Sequence, residues 1–441
     1  MRISAALATV LLASAASAAE LRGTTGSDAA AARAAYDPTD DATHDPTYDP
    51  AQTDEWISIA PDLSHDLLDW TEDPTGTSLK LLRARRSGTL ESHRGLLHGR
   101  LQGVQMEERT NTAGKFPILS RFPNQHAKTE RGSRFVVPRG QVAASYALPW
   151  VTLFGEAIYT DTLYHGDERW DVRRATVTVG DLDRAPVYAK YGNDFVDFGH
   201  MGAYNPFLQS MNWHYFKVHA EGVAALGYAG DVAGNHVEAS ATWIPGGRQT
   251  RVATSDEDDL NFALDASVRR ELRPGIEAEI GGGYLHATIY DSAVPHHIAP
   301  QRAGQETTRN GALNLRGEIS AETALGGLDL MAEYTRTIDD WPATDVPVSA
   351  LTVQGRWRGN AFDRPLALSA SYGLGHQGES GTEWEAMQQF ALGAELTLHP
   401  TARLQAEYVY NTGFAPLIMI RRASDGDVAA HTLAVGASVG F

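Results

Sequence analysis

The chain has 441 residues, no cysteine and a formal net charge of −18. Zero cysteine excludes disulfides, thiol catalysis and cysteine-based metal sites, and the acidic balance argues against binding nucleic acid through its phosphates. Mean hydropathy is −0.30 although 42 % of residues are hydrophobic, a mixture that suits either a soluble protein or a barrel whose lipid face uses every second residue.

Met1 to Ala18 reads as a secretory signal: Arg2 is the charged start, Ala5 to Ala13 a short apolar run, and Ala16-Ser17-Ala18 a small-residue cleavage site. The run is too short to span a bilayer, so it is expected to be removed and the protein exported. No cysteine follows it to carry a lipid, and no later run of eighteen apolar residues predicts a membrane helix. Residues 19–80 hold 14 acidic and 3 basic residues, with Asp37-Pro38, Asp45-Pro46 and Asp49-Pro50 in a YDP/HDP/YDP repeat. Such a segment buries little apolar area, so a mostly disordered periplasmic leader is expected, too short and polar to fold as a plug domain. Its prolines and missing glycine turn match no calcium loop. Pro61 to Trp70 (PDLSHDLLDW) carries Leu63, Leu67, Leu68 and Trp70 at helical spacing. It predicts one short amphipathic helix, docked near the periplasmic rim or exposed to solvent.

From Arg94 to Phe441 the pattern has period two. Ile276, Ala278, Ile280 and Tyr284 share a face opposite Glu277 and Glu279; Leu328, Leu330, Ala332 and Tyr334 oppose Asp329 and Glu333; Leu404, Ala406, Tyr408 and Tyr410 oppose Gln405 and Glu407. One apolar and one polar face per segment is the signature of strands, and segments of about ten residues match a tilted membrane crossing. We count about sixteen, centred near residues 101, 142, 155, 175, 189, 222, 239, 265, 282, 316, 333, 354, 370, 393, 407 and 436. Tight links such as Pro149-Trp150, Arg273-Pro274 and Phe362 to Arg364 alternate with long ones such as Gly114 to Gly132 and Asp291 to Arg309. Trp150, Tyr159, Trp170, Tyr188, Trp243, Tyr290, Trp341, Trp357 and Tyr410 fall near strand ends, as interfacial girdles require. The last strand, His431 to Phe441, puts Leu433, Val435, Ala437, Val439 and the final Phe441 on one face. The fold class expected is therefore all-β: a transmembrane antiparallel β-barrel over residues 94–441, with the closing strand paired to the first because an open edge in lipid leaves backbone groups unpaired. A soluble β-sandwich is the alternative.

A barrel of this size is wide enough for water. Its polar face would place Arg100, Lys190, Glu277, Glu279, Arg316, Glu333 and Arg356 on the lumen, with Gln102, Gln141, Glu238, Glu318, Gln354, Gln405 and Glu407. Mixed charge there either sets the selectivity of a diffusion pore or pairs across the wall with no transport role. Gly199, Gly202, Asn205-Pro206 and Asn212 break the alternation in a stretch rich in Met and aromatics. Folded inward, it would narrow the pore, with Tyr204, Phe207, Met211 and their neighbours as a solute-binding rim; folded outward, it would pack over its own aromatics. His296-His297 near Asp291 could ligate a surface metal, but adjacent histidines in extended chain point apart. Arg421-Arg422 could meet an anionic solute or lipopolysaccharide phosphate. No G-x-S-x-G or HExxH motif appears, and no catalytic residue, cofactor or metal is assigned.

Four segments carry a resemblance: Tyr191 to Met211 (YGNDFVDFGHMGAYNPFLQSM), Gly281 to Ser292 (GGGYLHATIYDS), Leu328 to Trp341 (LDLMAEYTRTIDDW) and Ala406 to Phe414 (AEYVYNTGF). Together they resemble the LbtU-like siderophore porins of the outer membrane, through most of residues 94–441. The acidic leader is not part of that pattern. The resemblance implies a barrel in a Gram-negative outer membrane, without a plug domain, giving passive or facilitated diffusion of small solutes, iron-siderophore complexes among them. Implied partners are outer-membrane lipid and lipopolysaccharide, the solute, and the barrel-insertion machinery that recognises the terminal Phe. Analogy with porins of this strand number extends to a homotrimer. An outer-membrane hydrolase with its site at the barrel mouth, and a non-conducting surface-binding barrel, are the alternatives.

Overall fold

The structure, a computed structural model of the chain, describes residues 57–69, 76–111, 130–161, 170–245, 261–290, 309–342, 344–379, 387–413 and 429–441. The signal, the YDP repeat, Trp70, His296-His297 and Arg421-Arg422 lie outside them. A short strand and two helices come first: β1 (Ile57–Ile59), α1 (Pro61–Leu68) and α2 (Thr77–Arg86). Sixteen long strands follow: β2 (Gly95–Thr110), β3 (Arg131–Ala147), β4 (Val151–Tyr159), β5 (Trp170–Gly180), β6 (Val187–Phe195), then after helix α3 (Met211–Phe216) β7 (His219–Val232), β8 (Asn235–Ile244), β9 (Asn261–Arg273), β10 (Ile276–Leu285), β11 (Ala312–Thr323), β12 (Gly326–Thr337), β13 (Ser349–Ala361), β14 (Arg364–His376), β15 (Met387–His399), β16 (Ala402–Thr412) and β17 (Ala429–Gly440).

Strands β2 to β17 pair antiparallel in chain order, and β17 returns to β2, with Val439 opposite Leu101 and Ala430 opposite Thr110. The sheet is thus a closed barrel. Beyond the reach of β17, the start of β2 pairs in parallel with β1, Ile57 opposite Gly95. The alternation decides which way each side chain faces. Ile280, Leu315 and Leu226 are more than 60 % exposed on the outside, the surface that lipid covers in a transmembrane barrel. Their neighbours Gly281, Asn314 and Ala225 turn inward and are buried. At one end the links are tight. Ala233-Gly234 and Phe362-Asp363 both have positive φ, the two-residue turn whose twist matches that of the strands it joins. This is the turn end; the other is the loop end.

The N-terminal helices lie inside the turn end. Pro61 opens α1 at a position where its missing N–H costs nothing. Leu67 and Leu68 of α1, with Leu81 and Ala84 of α2 and Leu90, pack on Leu96, Ala143, Ala147 and Phe154 of the wall. The helix predicted at 61–70 is present over 61–68 and docks just inside the turn-end rim, beside the Pro400-Thr401 turn, with Leu67 and Leu68 buried against the wall and Asp62 and Asp66 exposed. The second helix, α2, was not expected; Arg83, Arg85 and Arg86 sit in its last turn, where they meet the negative end of the helix dipole. The described segment 57–69 and 76–90 therefore occupies part of the barrel, because the wall supplies the apolar partners that two short helices lack.

The loop end holds the largest core. Phe195, Phe198, Met201, Met211, Trp213, Tyr215 and Phe216 pack with Ile289, Tyr290, Trp341 and Met387 inside the barrel. Tyr290 and Trp341, expected in a girdle, are inside it instead, edge to face with centroids 5.3 Å apart. Both follow the ends of their strands, where the chain is free to bend over the lumen. Tyr188 also turns inward, on the same face as Lys190. Trp150, Trp170 and Trp243 are outward and exposed, as expected.

Candidate functional site

The stretch between β6 and β7, residues 196–218, folds inward and crosses the lumen. Its α3 is capped by Ser210, whose Oγ accepts from Trp213 N at 3.0 Å. The glycines in this stretch and on the wall make the crossing sterically feasible. A methyl group at Gly373 would stand 3.0 Å from Met211 Cβ, and one at Gly393 2.7 Å from Pro206 Cδ.

Wall side chains hold the crossing chain by its backbone. Glu333 on β12 accepts from His200 N and Met201 N, each at 2.8 Å, and from Asn314 Nδ2 at 2.8 Å. Glu407 on β16 accepts from Phe207 N at 2.8 Å and Leu208 N at 3.2 Å. Asp265 on β9 accepts from Gly199 N at 2.9 Å. Gln354 on β13 accepts from Tyr204 N at 3.0 Å and donates to Gly202 O at 3.0 Å. Asn205 Nδ2 donates to Ser371 Oγ at 2.5 Å. An irregular chain inside a barrel has backbone groups that no ladder satisfies; charged acceptors make the strongest replacements.

Below the crossing, toward the turn end, is a recess of about 140 Å³ between α2 and strands β6 and β8 to β11. Its charges are paired. Lys190 Nζ donates to Asp194 Oδ2 at 3.1 Å, Asp197 Oδ1 at 3.2 Å and Phe195 O at 3.2 Å. Arg269 meets Glu279 Oε2 at 2.8 Å, Arg316 meets Asp265 Oδ1 at 2.6 Å, and Arg83 of α2 meets Glu238. Tyr204 OH donates to Glu318 Oε1 at 2.8 Å, with Arg356 Cζ 4.6 Å from its ring centroid. Burial, then the Glu318 carboxylate, pushes the Tyr204 phenol up. Burial pushes the Asp197 carboxyl up against the pull of Lys190.

The residues expected at the lumen are found in three separate settings. Lys190, Glu279 and Arg316 line the recess, and Glu277, one step nearer the turn end on the same face of β10, is exposed. Arg356 lies beside it, its Nε 3.0 Å from Asp329 Oδ2. Glu333 belongs to the crossing chain. Arg100 is across the barrel, its Nη1 2.9 Å from Asp69 Oδ2 just past α1. Phe207 and Met211 are buried, Phe207 against Val104, Met106, Val136 and Ala434; they are packing residues of the crossing chain, with no rim presented to solvent. Tyr204 alone of the three reaches the recess side through its hydroxyl. Sequence reasoning missed Arg139, Arg174, Glu156 and Asp265, all inward and paired. Arg139 shares the face of Gln141, Arg174 that of Thr178, Glu156 that of Thr152 and Asp265 that of Ser267, so strand parity would have found them.

Among the described residues no helix is long and apolar enough to cross a membrane, and no group of three or more His, Asp or Glu is placed to hold a metal. No protein-family model and no curated protein matches the sequence. Solved structures match the fold. An anion-selective porin from Comamonas acidovorans is 12 % identical with a TM-score of 0.52, the match covering 79 % of this chain and 99 % of that one. OprB of Pseudomonas putida is 12 % identical with a TM-score of 0.51, over 78 % and 94 %. Salmonella typhi OmpF, in complex with daunomycin, is 15 % identical with a TM-score of 0.50, over 79 % and 97 %. The chain has the fold of the outer-membrane porins: a sixteen-stranded transmembrane antiparallel barrel.

Proposed function

We propose that the protein is an outer-membrane solute channel of porin type, with a lumen narrowed by its own chain. The observation that carries this is the 196–218 crossing, held by Glu333, Glu407 and Asp265 above a charged recess. A wide barrel narrowed by a fixed inner segment sieves solutes by size, and the charges beside the narrowing act on what passes. Export through the Met1–Ala18 signal, insertion in a Gram-negative outer membrane, contact with lipopolysaccharide, and trimer assembly belong to this reading. Iron-siderophore complexes as solutes rest on the resemblance of segments such as Tyr191 to Met211.

A second reading, a barrel that binds a ligand without conducting, is favoured by the aromatic core at the loop end. Single-channel conductance of the refolded mature protein, with and without ferric siderophores, separates these. Stable steps that the chelate blocks support the siderophore channel. Steps without block leave a general channel and remove the siderophore. Silence from folded protein removes the channel and leaves the binding barrel.

A further inference from the structure

Three arginines face the lumen from one side of the wall and are almost fully buried: Arg100 on β2, Arg139 on β3 and Arg174 on β5, the last separated from β3 by β4. The N-terminal segment ends its first helix on them. Arg100 Nη1 is 2.9 Å from Asp69 Oδ2 and 3.3 Å from Leu68 O. Arg139 Nη1 is 3.7 Å from Asp69 Oδ1. Arg174 Nη2 donates to Leu67 O at 2.7 Å and its Nη1 to Thr77 Oγ1, while its Nε pairs with Glu156 of the wall. The C-terminal end of a helix carries partial negative charge, and Asp69 adds a full one. The wall thus binds the end of α1 as it would bind an anion. Arg100 Nε and Nη2 are buried with no hydrogen-bond partner among the described residues, so the seat has donors the helix does not use.

Helices of eight and ten residues do not hold in water alone. The pair is therefore ordered by the wall, and leaving the wall means unfolding. We propose that α1 and α2 form a tethered plug whose acidic helix end occupies an anion seat, and that its withdrawal opens the channel in an anion-preferring state. This rests on the channel reading above. Withdrawal removes Asp69 and two helix-end carbonyls, and uncovers guanidinium groups for a small anion, chloride in the assay.

Ser78 Oγ of α2 and Thr178 Oγ1 of β5 are 2.9 Å apart, and the chain has no other thiol to compete. The S78C/T178C protein locks the plug when oxidised and frees it when reduced. In planar bilayers the reduced form is expected to conduct severalfold more than the oxidised form. Its reversal potential in a KCl gradient is expected to show chloride preference, which Arg100→Gln lowers. Equal conductance in both forms overturns the plug and leaves the channel standing; cation preference unmoved by Arg100→Gln overturns the seat. Silence of both folded forms overturns the channel reading and the plug with it. If the double variant does not fold, Ser78→Cys alone reports docking. Its buried thiol is expected to react severalfold faster with a maleimide once Asp69→Asn weakens the seat, and an unchanged rate overturns the proposal.

Discussion

Glu333 shows how one buried side chain can fix an entire segment. Its two oxygens take two backbone N–H groups and the Asn314 amide, so the carboxylate has no spare partner to lose. Replacing it with alanine leaves two main-chain donors buried without an acceptor, at about 1–3 kcal/mol each. Glu333→Gln keeps one acceptor oxygen and is expected to lose about half as much. Thermal unfolding in detergent, followed with limited proteolysis near residue 200, checks the order: alanine least stable, glutamine intermediate, native most stable. Equal stabilities would show that the N–H groups find other acceptors. The side chain's inward face was legible, because Glu333 alternates with Leu330, Ala332 and Tyr334. Its partners were not, since His200 lies 133 positions away and period two says nothing about what enters a lumen. Separation along the chain also hid the pairing of Arg316 with Asp265, 51 positions away, and of Arg100 with Asp69.

The short helix α1 makes the same point for an element. Its leucine spacing announced a helix, while its burial depended on Leu96, Ala143 and Phe154, contributed by strands far along the chain. Helix α2 was harder to see, because a stretch with four basic residues in ten reads as solvent-facing until a wall of acceptors surrounds it. Arg83 meets Glu238, and Arg85 donates to Gly180 O at 3.2 Å. Docking has a pH dependence of its own. Burial of His65, then the charge of Arg100, lowers its pKa from 6.5 to about 3, with Asp69 opposing. In the docked state the ring is neutral at pH 5, whereas in the released state it takes a proton. The released state therefore binds more protons below pH 6.5, and docking weakens as pH falls from there toward 3. The slope is at most about 1.4 kcal/mol per pH unit. Hydrogen exchange of residues 61–68, corrected for intrinsic rates, is expected to be faster at pH 5 than at pH 7, and His65→Gln is expected to flatten that difference. A difference that survives the substitution would place the sensitivity at another group.

For the molecule as a whole, the alternation was sufficient to locate all sixteen strands: every centre expected from the sequence falls inside an observed strand. Two simple constraints act on every strand residue, lipid outside and a ladder on both sides, so the signal repeats and errors do not accumulate. The filling of the barrel obeys neither constraint and was read only in part. Closure itself is a property of the whole, and it rests on the terminal residue in a way that can be tested. Phe441 N donates to Gly99 O at 3.0 Å, and Gly99 N donates to Phe441 O at 2.9 Å, extending the β17–β2 seam past Gly440. Its ring lies on Gly99, where an added Cβ would have no room. Gly99→Leu therefore cannot coexist with the ring in place. The ring must leave, and with it the apolar cover over the first turn of the seam. The expected cost is about 1–3 kcal/mol, read as a lower temperature at which the folded band converts to the unfolded one on a detergent gel. Phe441→Ala removes the ring without the clash, so the double variant separates the two effects. If Gly99→Leu is rescued by Phe441→Ala, the collision is the cause; if it is not, the closing pair needs the glycine backbone itself.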